Sequence, residues 1–301
     1  MVIPDALIPD ALIPAYLRLT RADAPFSTVA GARKAVEEQT LRPASYNPPA
    51  KIRPDVTVTV ERQNGVPVYT ITPTTGGPTA QLIYLHGGGW VHEISSHHWT
   101  LLFQLSAEAR LTVTVPIWTL LPYGSATQAN ELVLHLHDML TPLRQEIIIG
   151  GDSAGGQVAL SAAVSLRDRG VDDLRTLLIS PALDLTLSNP RIPQVLPDDP
   201  WLGVDGVRWL ADQWRGDIPL SDPRVSPLNG DMHGMGPMVL CSGTRDILNP
   251  DAHLLVDKAR AAGADVTFLE QDGALHVFPL LPTPVGRTAR ARIVRELRGD
   301  S

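Results

Sequence analysis

Short apolar runs, separated by segments with helical periodicity, dominate the chain between residues 81 and 269. The runs lie at residues 81–85, 111–117, 146–149, 176–179, 238–242 and 266–269. A strand that is apolar along its whole length is covered on both faces, as in a parallel sheet wrapped by helices. Helices are predicted at residues 100–109, 125–140, 155–169, 250–262 and 287–298. This alternation predicts an α/β fold with a mostly parallel, doubly wound sheet.

Two parts of the chain do not follow this alternation of buried strands and helices. Residues 56–61 alternate valine with polar side chains, and residues 66–72 predict a partner strand across a turn at Asn64-Gly65. Residues 184–236 are rich in Pro, Asp and Gly, and they form a stretch too long for a plain loop. We therefore expect an insertion or lid there. Its tryptophans either line a site or fill the insertion, and we favour packing; they are Trp201, Trp209 and Trp214.

The N-terminus repeats Ile-Pro-Asp-Ala-Leu at residues 3–7 and 8–12. Proline removes a backbone donor and clashes with the preceding turn, so a continuous helix through the repeat is not expected. This segment is predicted to be an arm or part of a lid. It has no positively charged region of the kind that precedes a secretory signal, and its prolines interrupt it, so we expect a cytoplasmic protein.

Composition excludes several classes of partner. The net charge is −7, and the one basic cluster, at residues 287–298, has the spacing of a solvated helix face, so no nucleic-acid partner is expected. No apolar stretch approaches the length of a membrane span, and no stable membrane association is expected.

Cys241 is the only cysteine. Because it lies inside an apolar run, it is predicted to be a buried, inert thiol.

The pentapeptide Gly151-Asp152-Ser153-Ala154-Gly155 fits the pattern Gly-x-Ser-x-Gly. It follows a buried strand and opens a helix of small residues, which is the setting of a sharp strand-to-helix turn that exposes a serine. The helix N-terminus there favours a developing negative charge. Ser153 is therefore the predicted nucleophile.

A serine nucleophile needs a base, and the base needs an acid to orient it. His276 follows the last predicted strand, where this arrangement places the base. Asp246 follows the strand before it and fits the chain order Ser…Asp…His. Asp251, predicted to cap the next helix, and Asp272, predicted to lie in a turn, compete with Asp246 by position. The other histidines are predicted to have surface or hydrogen-bonding roles, and no partner spacing supports a metal site among them; they are His86, His92, His97, His98, His135, His137, His233 and His253.

A second motif, His86-Gly87-Gly88-Gly89-Trp90, follows the strand predicted at residues 81–85. Consecutive glycines leave backbone N–H groups bare, so that these groups can approach a substrate oxygen. During ester hydrolysis that oxygen becomes an anion, and a preplaced donor contributes about 3–4 kcal/mol. The amides of Gly87, Gly88 and Gly89 are therefore candidates for an oxyanion hole.

Together these motifs resemble those of the bacterial hormone-sensitive-lipase-like esterases of the α/β-hydrolase superfamily. The resemblance extends through residues 179–186, 222–228, 243–248 and 276–278. It implies an oxyanion hole formed by Gly88, Gly89 and the amide of Ala154, and it suggests a homodimer. It further implies a catalytic domain at 51–184 and 223–301, with a cap formed by residues 1–50 and 185–222. This chain has Thr119 and Tyr123 where these esterases usually carry Arg and Glu.

The sequence thus predicts a serine carboxylesterase that hydrolyses short-chain esters of small molecules through an acyl-enzyme at Ser153. No metal and no organic cofactor are implied. An amidase or a deacylase would use the same residues, so both remain alternatives. A non-catalytic ligand-binding protein on the same scaffold is the alternative from another class, but the presence of all three catalytic residue types argues against it.

Overall fold

Eight strands form one sheet in the computed structural model, which describes residues 7–299. They are β1 (Val56–Gln63), β2 (Val66–Pro73), β3 (Ala80–Leu85), β4 (Leu111–Pro116), β5 (Glu146–Asp152), β6 (Arg175–Ile179), β7 (Met238–Gly243) and β8 (Val266–Gln271). Their order across the sheet is β1-β2-β4-β3-β5-β6-β7-β8. The β1–β2 and β2–β4 pairs are antiparallel, and all other pairs are parallel. All eight predicted strands are therefore present.

Ten helices accompany the sheet within the described range. They are α1 (Ile13–Thr20), α2 (Ala24–Ser27), α3 (Val29–Leu41), α4 (Ser96–Ala109), α5 (Ala126–Leu140), α6 (Ser153–Asp168), α7 (Ile192–Val195), α8 (Val204–Trp214), α9 (Asn249–Ala261) and α10 (Pro284–Arg298). Helices α4 and α10 bury one face of the sheet, and α5, α6 and α9 bury the other. The predicted α/β fold, a mostly parallel sheet with helices on both faces, is confirmed.

Helix α4 begins at Ser96, earlier than the start at residue 100 that the sequence predicts. The cause is its N-terminal cap. The side chain of Ser95 accepts a hydrogen bond from the helix backbone, while the ring of His98 accepts one from the amide of Ser95. Glutamate or glutamine usually fills the second role, and a histidine there gives no helix signal in the sequence. His97 and His98 therefore lie in the first turn of α4 and not in a loop.

The N-terminal segment, residues 7–50, and the insertion, residues 185–222, contain helices but no strands. Helix α8 of the insertion packs against α2 and α3 of the N-terminal segment. The approach to α2 is close: a Cβ at Gly206 would lie 2.2 Å from the carbonyl oxygen of Phe26. Only glycine allows that contact, so Gly206 permits the two segments to pack closely.

Most of the first copy of the N-terminal repeat, residues 3–6, lies outside the described range. After the second copy, α1 begins at Ile13, with Pro14 in its first turn. Proline is tolerated there because the first amides of a helix have no helical partner. Ile13 and Leu17 are buried against Leu275, one residue before His276. From residue 7 to residue 299, no helix is both long and apolar enough to cross a bilayer.

Candidate active site

Ser153 lies at the junction of β5 and α6, where the sequence predicts a sharp turn. Its φ of 52° is in the left-handed region. For a residue other than glycine this conformation costs about 1–2 kcal/mol. The carbonyl oxygen of Ser153 accepts a hydrogen bond from the amide of Ala182 at 3.1 Å, which holds the turn in place. The strained turn lifts the serine hydroxyl above the carboxyl edge of the sheet.

His276 and Asp246 reach Ser153 from the loops that follow β8 and β7. The Nε2 atom of His276 lies 2.9 Å from the Oγ of Ser153, and its Nδ1 atom lies 2.8 Å from Oδ2 of Asp246. A carboxylate accepts only, so Nδ1 carries the proton and donates to Asp246, which leaves Nε2 to accept from Ser153. The amide of Leu248 donates to the other carboxylate oxygen, Oδ1, at 2.9 Å. The three predicted residues thus form one chain of hydrogen bonds.

His276 and Asp246 are both shielded from water, since His276 is 4% exposed and Asp246 is fully buried. Burial lowers the pKa of His276, whereas the carboxylates of Asp246, Asp199 and Asp152 raise it. The carboxylates prevail, and the pKa of His276 lies above its ordinary value of 6.5. The site therefore favours a proton on the imidazole once Ser153 reacts.

This electrostatic setting predicts the pH dependence of activity. A base must be neutral, and a raised pKa keeps His276 protonated over a wider acid range. We expect kcat/KM to rise with pH along an acid limb whose midpoint lies above 6.5, and to stay high to about pH 9. Initial rates on a soluble ester across this range give the midpoint. A maximum near pH ~5 would rule out His276 as the base.

The glycine loop after β3 differs in one respect from the prediction. The amide of Gly87 donates to Oδ1 of Asp152 at 3.0 Å, so it is not available to a substrate oxygen. Gly87 is therefore a wrong prediction as an oxyanion donor. Within residues 7–299, no protein atom accepts a hydrogen bond from the amides of Gly88 and Gly89. Ala154 lies in the first turn of α6, where amides have no helical partner.

Gly89 needs to be glycine for two reasons. Its φ is 62°, and a Cβ there would lie 2.5 Å from the ring of Phe26. The glycine loop and α2 of the N-terminal segment are therefore in direct contact. A side chain at this position would either push Phe26 away or move the loop.

A buried network around Asp152, the residue before Ser153, was not predicted. Besides Gly87, its Oδ1 atom accepts from the hydroxyl of Tyr84 at 2.9 Å. Its Oδ2 atom lies 3.2 Å from Nε2 of His98, whose Nδ1 atom accepts from Ser95. Burial raises the pKa of Asp152, but these donors outweigh it, so the pKa lies below its usual value. Asp152 thus ties the serine turn to the glycine loop and to α4.

A cavity of about 390 Å³ opens in front of Ser153. Gly88, Gly89, Ala154 and His276 line its reactive end. Apolar side chains form much of the remaining wall, among them Phe26, Trp201, Leu202, Val207, Leu210 and Leu281. These come mainly from the N-terminal segment and the insertion, which therefore form much of the cavity wall above the sheet.

The three tryptophans of residues 184–236 have different positions. Trp214 is fully buried, stacks on Trp90 and donates to Gln157 at 3.0 Å, so it packs the core as expected. Trp209 is partly buried and lies under the guanidinium of Arg33. Trp201 lines the cavity, and its ring meets the ring of His276 edge-on. Trp201 also packs, partly buried, against the hydrophobic core, so for this residue both alternatives hold.

Asp251 and Asp272, the rivals of Asp246, do not approach His276. Asp272 is exposed and accepts from the hydroxyl of Thr244 at 3.0 Å. Asp251 does not cap α9, contrary to the prediction, because it turns toward the insertion. Its Oδ1 atom accepts from Nδ2 of Asn189 at 2.7 Å, and its buried Oδ2 atom has no partner within the described residues. Burial and the charge of Asp184, against the Asn189 bond, raise the pKa of Asp251 to about 6.

This burial predicts that Asp251→Asn stabilises the protein above neutral pH. A carboxyl whose pKa is raised by folding contributes stability below its unfolded value, near 3.9, and loses that contribution as the pH rises through 6. Asparagine keeps the acceptor for Asn189 and carries no charge. At pH ~8 we expect a gain in the free energy of unfolding on the order of 2 kcal/mol, which vanishes near pH ~4.

Thermal melts at several pH values measure this effect. Asp257→Asn is the matched control, because Asp257 is exposed on the same helix, and it should leave the melting temperature unchanged. A lower melting temperature for Asp251→Asn than for the wild type at pH ~8 would contradict the expectation.

The remaining histidines, the cysteine and the two atypical positions, Thr119 and Tyr123, take no part in the chain of hydrogen bonds from Ser153 to Asp246. Burial lowers the pKa of His86 to about 4, and burial raises the pKa of Cys241 to about 12. Thr119 and Tyr123 are exposed and do not line the cavity. Across the described residues, no group of three or more His, Cys, Asp and Glu side chains is arranged to hold a metal ion.

The known proteins similar to this chain include an acetyl-hydrolase and esterases. The family model of the α/β-hydrolase fold matches residues 82–280. The provisionally named acetyl-hydrolase LipR of Mycobacterium tuberculosis is 32% identical over 243 residues, which are 78% of each chain. An esterase of Acinetobacter venetianus is 28% identical over 271 residues, covering 86% of this chain and 85% of its own. The solved structure of an esterase from the bacterial hormone-sensitive lipase family has a TM-score of 0.82 at 26% identity, covering 98% of this chain and 99% of that one.

Proposed function

Because this chain belongs to the α/β-hydrolase fold family, among its hormone-sensitive-lipase-like esterases, we propose that Ser153, His276 and Asp246 are its catalytic triad. The protein is a carboxylic ester hydrolase. The observation that carries the triad is the hydrogen-bonded chain from Ser153 through His276 to Asp246, which begins at a strained turn at the wall of the cavity.

The proposed reaction proceeds in two steps. Nε2 of His276 removes the hydroxyl proton of Ser153 while Oγ attacks the ester carbonyl carbon. The tetrahedral intermediate collapses, the C–O bond to the alcohol breaks, and the imidazolium gives its proton to the departing alcohol. Water then repeats the sequence on the acyl-enzyme, which releases the carboxylic acid and restores Ser153. Asp246 holds the imidazole in the required tautomer and stabilises its charged form.

The proposed oxyanion hole consists of the amides of Gly88, Gly89 and Ala154. Their lack of protein acceptors within the described chain supports this role, as does their position at the reactive end of the cavity. The partial positive charge at the N-terminus of α6 adds to their effect. Asp152 contributes indirectly, because its bond to Gly87 keeps the glycine loop next to the serine turn.

Covalent labelling tests the nucleophile directly. A fluorophosphonate probe should add to the native protein with loss of fluoride, and peptide mapping should locate the phosphonyl group on Ser153. Heat-denatured protein is the control, because it retains the serine but not the base or the anion site. Absence of a label, or a label on another serine, would refute the assignment of Ser153.

We further propose that residues 1–50 and 185–222 form a cap over the catalytic domain at 51–184 and 223–301. Residues 1–6 of the proposed cap lie outside the described range. Two observations support this division. Helix α8 contacts α2 and α3, and both segments contribute side chains to the cavity wall. Since the cap forms much of the cavity wall, it limits the size of the ester that fits in front of Ser153.

The small, apolar cavity predicts a preference for short acyl chains. Its volume of about 390 Å³ is near the lower end of the ~300–1,000 Å³ that ligand pockets occupy. We expect the highest kcat/KM on p-nitrophenyl esters of about two to eight carbons, with a steep fall for longer chains that the wall excludes. Initial rates on a chain-length series measure this. A preference for emulsified long-chain triglyceride would contradict it.

A further inference from the structure

Asp199, in the insertion, is a carboxylate in the immediate surroundings of the proposed triad that the two-step reaction does not use. Its Oδ1 atom accepts hydrogen bonds from the amides of Trp201 at 2.8 Å and Leu202 at 2.9 Å. Its Oδ2 atom accepts from the amide of Ile247 at 2.9 Å. One side chain thus joins a turn of the insertion to the loop that follows β7.

Two of these three contacts, those to Ile247 and Trp201, lie next to a triad residue. Ile247 is the neighbour of Asp246, so the bond from its amide fixes the backbone that carries the acid. Trp201 reaches the base, because its ring lies 5.8 Å from the ring of His276 at an interplanar angle of 87°. The edge of one aromatic ring against the face of another is a favourable arrangement that restricts both rings.

A second contact joins the same two segments beside Asp199. The guanidinium Nε of Arg245 donates to the carbonyl oxygen of Asp198 at 3.1 Å. The backbone amide of Arg245 donates to the carbonyl oxygen of Ala274 at 3.0 Å. This bond links the loop of Asp246 (the acid loop) to the loop of His276 (the histidine loop). Through its side chain and its backbone amide, Arg245 therefore connects the acid loop to both the insertion and the histidine loop.

Charge adds to this geometry. Burial and the neighbouring Asp246 raise the pKa of Asp199 to about 6, against its three backbone donors. Above that pH, its negative charge joins those of Asp246 and Asp152 in raising the pKa of His276. Asp199 therefore influences the protonation of the base as well as its position.

We propose that Asp199 is a positioning residue of this esterase, which locks the cap turn at Trp201 onto the loop of Asp246 and so sets the orientation of His276. The inference rests on the proposed triad. It assigns to the insertion a part in positioning the acid and the base, beyond forming part of the cavity wall. Substrate binding and the arrangement of the acid and base are thereby linked through one carboxylate.

Asp199→Asn tests this role. Asparagine has nearly the same shape but presents an NH₂ group to one of the backbone donors and carries no charge. We expect kcat/KM on p-nitrophenyl acetate to fall about 10-fold, because small displacements of reacting groups are costly. We also expect the acid limb of kcat/KM to move to lower pH, because a negative charge that raises the pKa of His276 is removed.

Asp198→Asn is the matched control, one residue away, since only the backbone carbonyl of Asp198 contacts the acid loop. It should leave both kcat/KM and the acid limb unchanged. Asp199→Glu, which retains the charge, should keep the acid limb near that of the wild type. If Asp199→Asn does not melt cooperatively, Asp199→Ser carries the same comparison.

An acid limb unchanged in Asp199→Asn would overturn the proposal, even if kcat fell, because a loss of packing alone does not move it. Equal effects of Asp198→Asn and Asp199→Asn would also overturn it. These outcomes are separate from a failure of the triad itself, which appears as absent labelling of Ser153 in the wild type.

Discussion

Ser153→Ala is expected to lower kcat for a short activated ester by about 10⁶-fold. Alanine adopts the same left-handed conformation as serine at no greater steric cost, so the turn between β5 and α6 should persist. The chemistry is lost because no oxygen remains to attack the carbonyl carbon. Residual hydrolysis would then come from the oxyanion donors and from binding alone.

Steady-state rates, with active-site titration by the fluorophosphonate probe, measure this effect. Ser165→Ala is the matched control, because Ser165 lies further along α6 and bonds to Asn130 and Ser161. It should keep near-wild-type activity and full labelling. If Ser153→Ala retained more than about 1% of kcat, the acyl-enzyme at Ser153 would be excluded.

Asp246→Asn is expected to lower kcat by about 10⁴-fold, the cost of the same change in a related triad. Asparagine preserves the shape, but its amide NH₂ now faces Nδ1 of His276. The imidazole then turns its lone pair toward the amide and its proton toward Ser153, which is the wrong tautomer for a base. Asp246 also accepts from Leu248, so thermal melts must accompany the rates to exclude unfolding.

Two variants serve as controls for this assignment. Asp251→Asn changes a buried carboxyl that contacts Asn189, and Asp272→Asn changes an exposed one that contacts Thr244. Neither contacts His276, so both should keep kcat within several-fold of the wild type. The assignment of Asp246 fails if Asp251→Asn is the inactive variant and Asp246→Asn remains near the wild type.

The sheet and the positions of the proposed triad could be predicted from the sequence because the signals for them are local. A strand covered on both faces is a continuous apolar run, and six such runs mark the interior of this sheet. The serine turn is likewise contained in five consecutive residues between a strand and a helix. Asp246 and His276 followed from the order of the strands, because parallel strands end at the same edge of a sheet.

The predictions that failed depend on contacts between residues far apart in the sequence. The amide of Gly87 is occupied by Asp152, 65 positions away, although it has the same local sequence as its two glycine neighbours. Asp251 was predicted to cap α9, yet it lies within the first turn of that helix and bonds to Asn189, 62 positions away in the insertion. In neither case does the residue type or its spacing indicate the partner.

The sequence alone therefore determined the fold class, the strands and the residue types that the reaction needs, since short-range periodicity and turn chemistry encode these features. The tertiary structure decided which backbone donors stay free, which wall of the cavity Trp201 forms, and that Asp199 joins the insertion to the loop of Asp246. The physical reason is that a hydrogen bond forms only at a distance near 3 Å. Which groups come that close is set by how the N-terminal segment and the insertion pack over the sheet, and no local pattern encodes that packing.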